Sequence, residues 1–140
     1  MKAVNLKCEH MSNPMGIDFA NPTLSWNCQG GVAQKAYEVI VKCSDDVVYD
    51  SGKVESSSMQ MKYPNQLQSR QKLTWQVKLW DENDMEETSE EATFEMGLLD
   101  VNDWQAKWIN PEEKTEPETI APVSYLRKSV HIDQVLNARL

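Results

Sequence analysis

The densest cluster of residues that could do chemistry is an acidic run at residues 80–91, "WDENDMEETSEE". Carboxylates this close together could bind a divalent cation or act as a general acid and base. The calcium-loop pattern fails, because Met85 and Glu86 stand where Asp or Asn and then Gly are required. An acid/base pair also needs a cleft that raises one pKa, and a hairpin tip seldom provides one. We therefore expect a solvated loop between two strands.

Cysteine and histidine supply few further candidates. Cys8, Cys28 and Cys43 are an odd number without metal-ligand spacing. They are interpreted as buried free thiols in a reducing compartment, with a Cys28–Cys43 disulfide or a catalytic thiol as the alternatives. His10 and His131 lie outside any metal-binding pattern and are expected to be surface or structural groups. The sequence therefore predicts no catalytic residue, no cofactor-binding residue and no metal ligand in this chain.

Five tryptophans could stack on sugar rings or fill contacts between domains. Trp26 and Trp75 fall on the apolar phase of their segments and are predicted to be core residues. Trp80 is out of phase with Trp75, so it is a candidate for a sugar-binding patch or for a contact with a neighbouring domain. Trp104 and Trp108 are expected to dock against the sandwich or a following domain. The candidate contact residues are thus Trp80, Trp104 and Trp108.

The elements that must position these residues are strands. Apolar and polar residues alternate through seven segments, turn residues separate them, and no stretch carries a capped helical stripe. This alternation is typical of antiparallel sheets with one wet face. It predicts an all-β fold, a seven-stranded antiparallel sandwich of the immunoglobulin-like or fibronectin type III kind. The segments are "AVNLKCE", "TLSWNC", "KAYEVIVKC", "VVYD", "SSMQMKY", "KLTWQVKLWD" and "EATFEMG".

The alternation also predicts which side chains enter the core. In the first segment it selects Val4, Leu6 and Cys8, and Met59 with Met61 in the fifth. In the other long segments it selects Leu24, Trp26, Cys28, Tyr37, Val39, Val41, Cys43, Leu73, Trp75, Val77, Leu79, Ala92, Phe94 and Met96.

Three regions are expected along the chain. Residues 1–98 form the sandwich, and residues 99–121, rich in proline and acidic side chains, form a linker. Residues 122–140 are predicted to begin a second β domain, with one strand from Val123 and another from Asn137. A strand without a partner exposes unpaired backbone groups. We therefore expect the chain to be the front part of a longer protein.

The formal net charge of −8 and the pI of about 4.7 favour a neutral partner. Nucleic-acid binding requires clustered Lys and Arg, and an anionic membrane surface repels an acidic protein. No apolar run approaches the roughly 20 residues of a membrane span, and no secretion signal is visible. We expect a cytoplasmic protein with no nucleic-acid or membrane partner.

The order of several motifs resembles a known family. "LKCEHMSNPMGIDFANPTLSW", "AYEVIV", "YDSGKVES", "LTWQVKLWDEND", "FEMGLLDVNDWQAKWI" and "YLRKSV" together resemble the N-terminal region of bacterial α-L-rhamnosidases of glycoside hydrolase family 78. The resemblance covers nearly all of the chain. It implies a large parent enzyme that removes terminal non-reducing α-L-rhamnose from rhamnosides by an inverting mechanism.

The resemblance also implies how the parent is organised. A fibronectin-type domain would precede a jelly-roll β domain, begun and truncated in residues 122–140, and an (α/α)6 barrel further along would carry the catalytic acids. The chain itself would be a non-catalytic structural domain whose partners are the downstream domains. The alternatives are a carbohydrate-binding module and a protein-interaction module, between which the fold alone cannot choose.

Two positions depart from the family pattern. Leu73 replaces the tyrosine that family members commonly carry before the tryptophan of this strand, so a tyrosine corner is not possible. We expect packing to hold the preceding turn instead. The stretch near Ser89 lacks the usual tryptophan. Both departures concern the stability of the sandwich.

Overall fold

The computed structural model describes residues 1–109, 123 and 125–134. Two compact units are present, residues 1–105 and 106–140. The first unit contains ten strands and one short 3-10 helix. The strands are β1 (Lys2–Cys8), β2 (Met15–Ile17), β3 (Thr23–Gln29), β4 (Gln34–Cys43), β5 (Asp46–Asp50), β6 (Val54–Glu55), β7 (Gln60–Lys62), β8 (Lys72–Asp81), β9 (Glu86–Thr88) and β10 (Ala92–Met96), and the helix is η1 (Val101–Asp103).

These strands form two sheets. The small sheet has the order β1-β3-β7, and the large sheet has the order β2-β10-β8-β4-β5, with β6 on β4 and β9 on β8. The fold class predicted from the alternation is therefore confirmed. The seven predicted segments correspond to β1, β3, β4, β5, β7, β8 and β10. The three additional strands have only two or three residues each, which is too short for alternation to be visible.

The core lies between the two sheets, and the faces predicted for the long strands are confirmed. Every predicted residue of β8 and β10 is buried, as are those of β3 and β4 except Cys28 and Cys43, which are half-buried against the core. Trp26 meets Tyr37 edge to face, with ring centroids 5.0 Å apart. This geometry is the one that aromatic pairs prefer.

The predicted face of β1 is wrong in part. Cys8 is buried and Leu6 is half-buried against the core, as predicted, but Ala3 rather than Val4 is the buried residue before the register shift. The register shifts between Val4 and Lys7, and Asn5 has a φ of 52°. An extra residue in one strand reverses the alternation beyond it. The sequence pattern does not reveal this bulge, since Asn is also common in regular polar positions.

The prediction that Met59, Met61 and Met96 lie in the core is also confirmed only in part. Met96 is buried and Met61 packs against the core. Met59 is 48% exposed, so its predicted place in the core is wrong. It precedes the three-residue strand β7, and its carbonyl accepts the backbone N–H of Trp26 at 3.0 Å. Its backbone therefore extends the small sheet while its side chain faces water.

One strand pair is parallel, in contrast to the all-antiparallel expectation. β2 runs parallel to β10, with Met15 opposite Glu95 and Ile17 opposite Met96. Gly97 continues this seam: its N–H donates to the Ile17 carbonyl at 2.7 Å. A Cβ atom at Gly97 would stand 3.2 Å from the Gly16 carbonyl oxygen. A side chain at position 97 would therefore require the Gly16 backbone to move by a few tenths of an ångström.

The second unit contains no strand in its described residues, 106–109, 123 and 125–134. The second β domain expected from residue 122 onwards stays a prediction. A strand needs a neighbour that accepts and donates its backbone hydrogen bonds, and no described segment pairs with the one that begins at Val123. The strand predicted from Asn137 and the proline-rich centre of the linker lie outside the described residues. In the described part of the chain, no helix has the length and apolar character needed to cross a membrane.

Candidate functional site

Trp80 lies on the outer face of the large sheet, next to the inward-facing Leu79. The residue is only 9% exposed. The Lys53 ammonium lies 4.7 Å from the centre of the indole ring, and the Lys78 ammonium lies 5.4 Å from it. Lys78 is held in place by Glu38, with 3.0 Å between Nζ and Oε2. The ring is therefore covered by cations, and the sugar or interdomain contact expected of Trp80 stays a prediction.

The other two candidate tryptophans are open to solvent. Trp104 directly follows η1 and is 65% exposed, and Trp108 of the second unit is fully exposed. Trp80 is near the end of β8, and β8 runs antiparallel to β10, from which the chain reaches Trp104. Trp80 and Trp104 therefore lie towards opposite ends of the sandwich. The structure does not bring them together into one site.

The acidic hairpin is ordered by its own backbone. Asp81 is buried, and its Oδ1 accepts the N–H groups of Asn83 and Met85 at 2.9 and 3.0 Å. Asp84 has a φ of 59° and binds Lys35 at 2.7 Å. This ion pair lowers the pKa of the Asp84 carboxyl, chiefly through the hydrogen bond from Lys35. Both carboxylates thus have protein partners rather than a shared cavity.

Glu82 connects this hairpin to the turn before β4. Its Oε2 accepts the N–H groups of Ala33 and Val32 at 3.1 and 3.2 Å. These backbone hydrogen bonds, with that of Ala33 foremost, hold the pKa of Glu82 below its usual value. Within the described ranges, no three His, Cys, Asp or Glu side chains are grouped so that they could hold a metal ion.

The most distinctive arrangement is where the chain leaves the sandwich. Ser69 lies in the turn before β8, and its hydroxyl donates a short hydrogen bond to Asp103 Oδ2. The hydroxyl oxygen of Ser69 also accepts the Leu99 N–H at 2.8 Å. Leu99 packs against the core. We call Ser69, Leu99, Asp100 and Asp103 the exit clamp.

A capping box stabilises the far side of the exit clamp. Asp100 Oδ1 accepts the Asn102 N–H at 2.7 Å, and Asp103 Oδ2 accepts the Asp100 N–H at 3.4 Å. The reciprocal arrangement satisfies backbone donors that a helix start otherwise leaves unpaired. Asp103 therefore connects two elements, because the same carboxylate oxygen also binds Ser69. The chain is held in one direction until it reaches Trp104.

The turn before β8 is held by hydrogen bonds, whereas packing alone was expected. Gln71 Oε1 accepts the Gln68 N–H at 3.1 Å, and the Gln71 carbonyl accepts the Met96 N–H at 2.9 Å. The Arg70 N–H donates to the Gly97 carbonyl at 3.0 Å. These bonds connect the turn to the end of β10. Leu73 is fully buried directly after it.

The sequence analysis did not predict the exit clamp. Only the contact between Asp100 and Asp103 has a recognisable sequence pattern. Asp100 and Asp103 have the three-residue spacing of a capping box, which predicts an ordered turn inside the expected linker. Ser69 is 34 residues away from Asp103 in sequence, and nothing in its local context indicates that contact. Chemically, the exit clamp positions a chain; it does not assemble a nucleophile, an acid and a cavity.

The fold and the exit clamp define an immunoglobulin-like β-sandwich domain that ends in a fixed connection. A family model described as "Rha78A-like, N-terminal immunoglobulin domain" matches residues 3–100. The chain belongs to this family. The chain is similar in sequence and in structure to parts of several α-L-rhamnosidases.

An α-L-rhamnosidase of Formosa agariphila is 38% identical over 94% of this chain, which covers 16% of that enzyme. The structure of the α-L-rhamnosidase from Dictyoglumus thermophilum superposes with a TM-score of 0.73 at 38% identity, covering 79% of this chain and 14% of that one. That of Streptomyces avermitilis, in complex with L-rhamnose, gives 0.70 at 33% identity, covering 78% and 12%. The chain thus spans about a sixth of the length of the curated relatives it matches.

Proposed function

We propose that this chain is the non-catalytic N-terminal domain of an α-L-rhamnosidase, and that it positions the domains that follow it. The observation that carries the proposal is the exit clamp. Ser69 and Asp103 fix the chain beyond β10 to the turn before β8, so the sandwich determines the direction in which the chain continues. Rigid elements position neighbouring parts more accurately than flexible linkers do.

The test compares the rhamnosidase activity of this chain with that of the full-length protein. The 140-residue chain and the full-length protein are purified and assayed with an aryl α-L-rhamnoside. We expect turnover by the full-length protein and none by the short chain. Heat-inactivated full-length protein serves as the control for background hydrolysis. Heat-labile turnover by a clean preparation of the short chain would contradict the non-catalytic role.

The mechanism proposed for the parent is inversion at the anomeric carbon. Inverting glycosidases use one carboxylic acid and one carboxylate base about 6.5–9.5 Å apart, with a water between base and sugar. Proton NMR of the first-formed rhamnose distinguishes the outcomes. The β anomer must appear first from an α-rhamnoside, and early accumulation of the α anomer would show retention.

A carbohydrate-binding role is the second candidate, and one surface favours it. A shallow groove of about 610 Å³ lies over the small sheet. Three of its lining side chains are neutral amides and one is a hydroxyl, groups that suit a polyol. The lining consists of Asn5, Lys7, His10, Ser25, Trp26, Asn27, Met59 and Gln60. Titration of the isotope-labelled chain with L-rhamnose decides the matter. Saturable amide shifts confined to the groove support binding, whereas unchanged spectra at high millimolar sugar exclude it.

The proposed compartment is the cytoplasm. All three cysteines are free: Cys8 is buried, and Cys28 and Cys43 are half-buried. Free thiols persist where glutathione and thioredoxin keep them reduced. Fractionation of the source cells, followed by detection of the full-length protein, tests this. Recovery with a secreted marker rather than a cytoplasmic one would contradict it.

A further inference from the structure

Three large apolar side chains are exposed where the chain leaves the sandwich: Phe19, Val101 and Trp104. They are 60%, 80% and 65% exposed. We call them the exit patch. Single exposed apolar residues are common on protein surfaces, but a cluster of large ones marks a contact site.

The topology brings these residues to one end of the sandwich. β2 and β10 are parallel, so the chain leaves both strands at the same end. Phe19 comes two residues after β2, whereas Val101 and Trp104 follow β10. Three hydrogen bonds tie the segments together: Gly97 to Ile17 at 2.7 Å, Arg70 to Gly97 at 3.0 Å, and Leu67 to Ala20 at 3.3 Å.

We propose that the exit patch is the docking surface for the part of the parent enzyme that follows residue 140. This inference rests on the proposed function. The relatives continue for several times the length of this chain, which covers 12–17% of them. The part that follows is tethered to the sandwich through residues 106–140, and tethering raises its effective concentration at the sandwich.

The size of the exit patch suits a tethered partner. Contacts between domains of one chain bury about 600–1,500 Å², and an aromatic side chain contributes about 150–250 Å². Phe19 and Trp104 thus supply the apolar centre of such a contact rather than all of it. The exit clamp and the bond from the Trp104 N–H to the Val101 carbonyl hold the backbone without covering the indole ring, so little backbone freedom is lost on docking.

The experiment compares the full-length parent with the 140-residue chain. The double variant Phe19→Ser/Val101→Ser removes most of the exit patch and leaves Trp104 as a probe. The matched control is Val32→Ser/Met85→Ser, two exposed residues at the opposite end of the sandwich, 88% and 66% exposed. Trypsin cleavage after Lys107 is followed in both proteins, together with hydroxyl-radical oxidation of Trp104.

We expect Trp104 to oxidise more slowly in the parent than in the short chain. In the parent, the exit-patch variant should be cleaved about tenfold faster than the control variant. In the short chain, the two variants should melt at the same temperature, which shows that folding is intact. Equal oxidation and equal cleavage would overturn the proposal. The proposal would also be overturned if the short chain sediments as a dimer and Trp104 is protected from oxidation in that dimer.

Failure of the docking proposal and failure of the proposed function give different results. If docking fails, the unmodified parent still hydrolyses rhamnosides. If the proposed function fails, the unmodified parent has no rhamnosidase activity, whatever the protection of Trp104.

Discussion

The indole N–H of Trp26 donates to Gln34 Oε1 at 3.0 Å in the interior of the sandwich. The amide nitrogen of Gln34 donates in turn to the carbonyls of Ser56 and Ser58, both at 2.8 Å. One buried side chain thus connects β3, β4 and the loop before β7. Its acceptor and both of its donors are used, which is the condition under which a buried polar group stabilises a fold.

Gln34→Glu should destabilise the domain by about 2–4 kcal/mol. The glutamate keeps the size of the side chain but cannot donate at neutral pH, so a carboxylate would face two carbonyl oxygens in a buried site. Chemical denaturation at pH 7 measures the loss. The matched control is Gln66→Glu, at an exposed position, which should change little. Equal stability of the two variants would show that the Gln34 donors contribute nothing.

Ser69→Ala should cost about 1–2 kcal/mol, because the hydroxyl both accepts from Leu99 and donates to Asp103. The loss should be local. Hydrogen exchange of the Leu99 amide should accelerate, while exchange of the Val77 amide in the centre of the large sheet should follow only the global change. Ser57→Ala, at an exposed position, is the control. Unchanged protection of Leu99 would argue against the exit clamp.

Cys8 should be the slowest of the three thiols to react. Burial raises its pKa to about 12, with a smaller contribution from Glu9, and the thiolate is the reactive form. At pH 8 the folded chain should therefore be alkylated at Cys28 and Cys43 well before Cys8, as measured by peptide mass spectrometry. All three should react together in denaturant. Labelling of Cys8 as fast as Cys43 in the folded chain would contradict its burial.

Glu82 should contribute to stability at neutral pH and not in acid. Its pKa is lower in the folded chain than in the unfolded one, so its contribution is complete above the unfolded value and is lost as the pH falls through the folded value. Glu82→Gln keeps an acceptor for Ala33 but removes the charge. It should lower the melting temperature at pH 7, and this effect should shrink as the pH falls through the lowered pKa of Glu82.

The control for Glu82 is Glu91→Gln, at an exposed position. Its melting temperature should match that of the unmodified chain at pH 7 and at pH 3. An effect of Glu82→Gln that is as large at pH 3 as at pH 7 would show that the charge is not what stabilises the contact with the turn before β4.

How far the sequence predicts this fold depends on the range of the interactions. Alternation identifies the buried faces of β4 and β8, because both strands are long and burial alternates regularly through residues 37–41 and 73–79. It fails at Asn5, where one left-handed residue shifts the register, and at Met59, which lies just outside a three-residue strand. In both cases the backbone path, rather than the composition, decides which way the side chains face.

The candidate site was less predictable than the fold. The phase of Trp80 places it off the core face, together with Lys78 two residues earlier on the same strand. Its other lysine neighbour, Lys53, comes from the loop before β6 and has no local signal. The Asp100–Asp103 spacing indicates a cap, whereas the contact with Ser69 depends on the position of a distant turn. Contacts of this kind arise from topology, which a local pattern does not encode.

The position of β10 between β2 and β8 has a mechanical consequence. A pull on the chain at Gln105 first loads the exit clamp and is then transmitted along β10, whose hydrogen bonds to both neighbours lie across the strand direction. Bonds loaded in shear must break together, whereas bonds at a peeled end break one at a time. The sandwich is therefore expected to resist tension applied where the chain leaves β10.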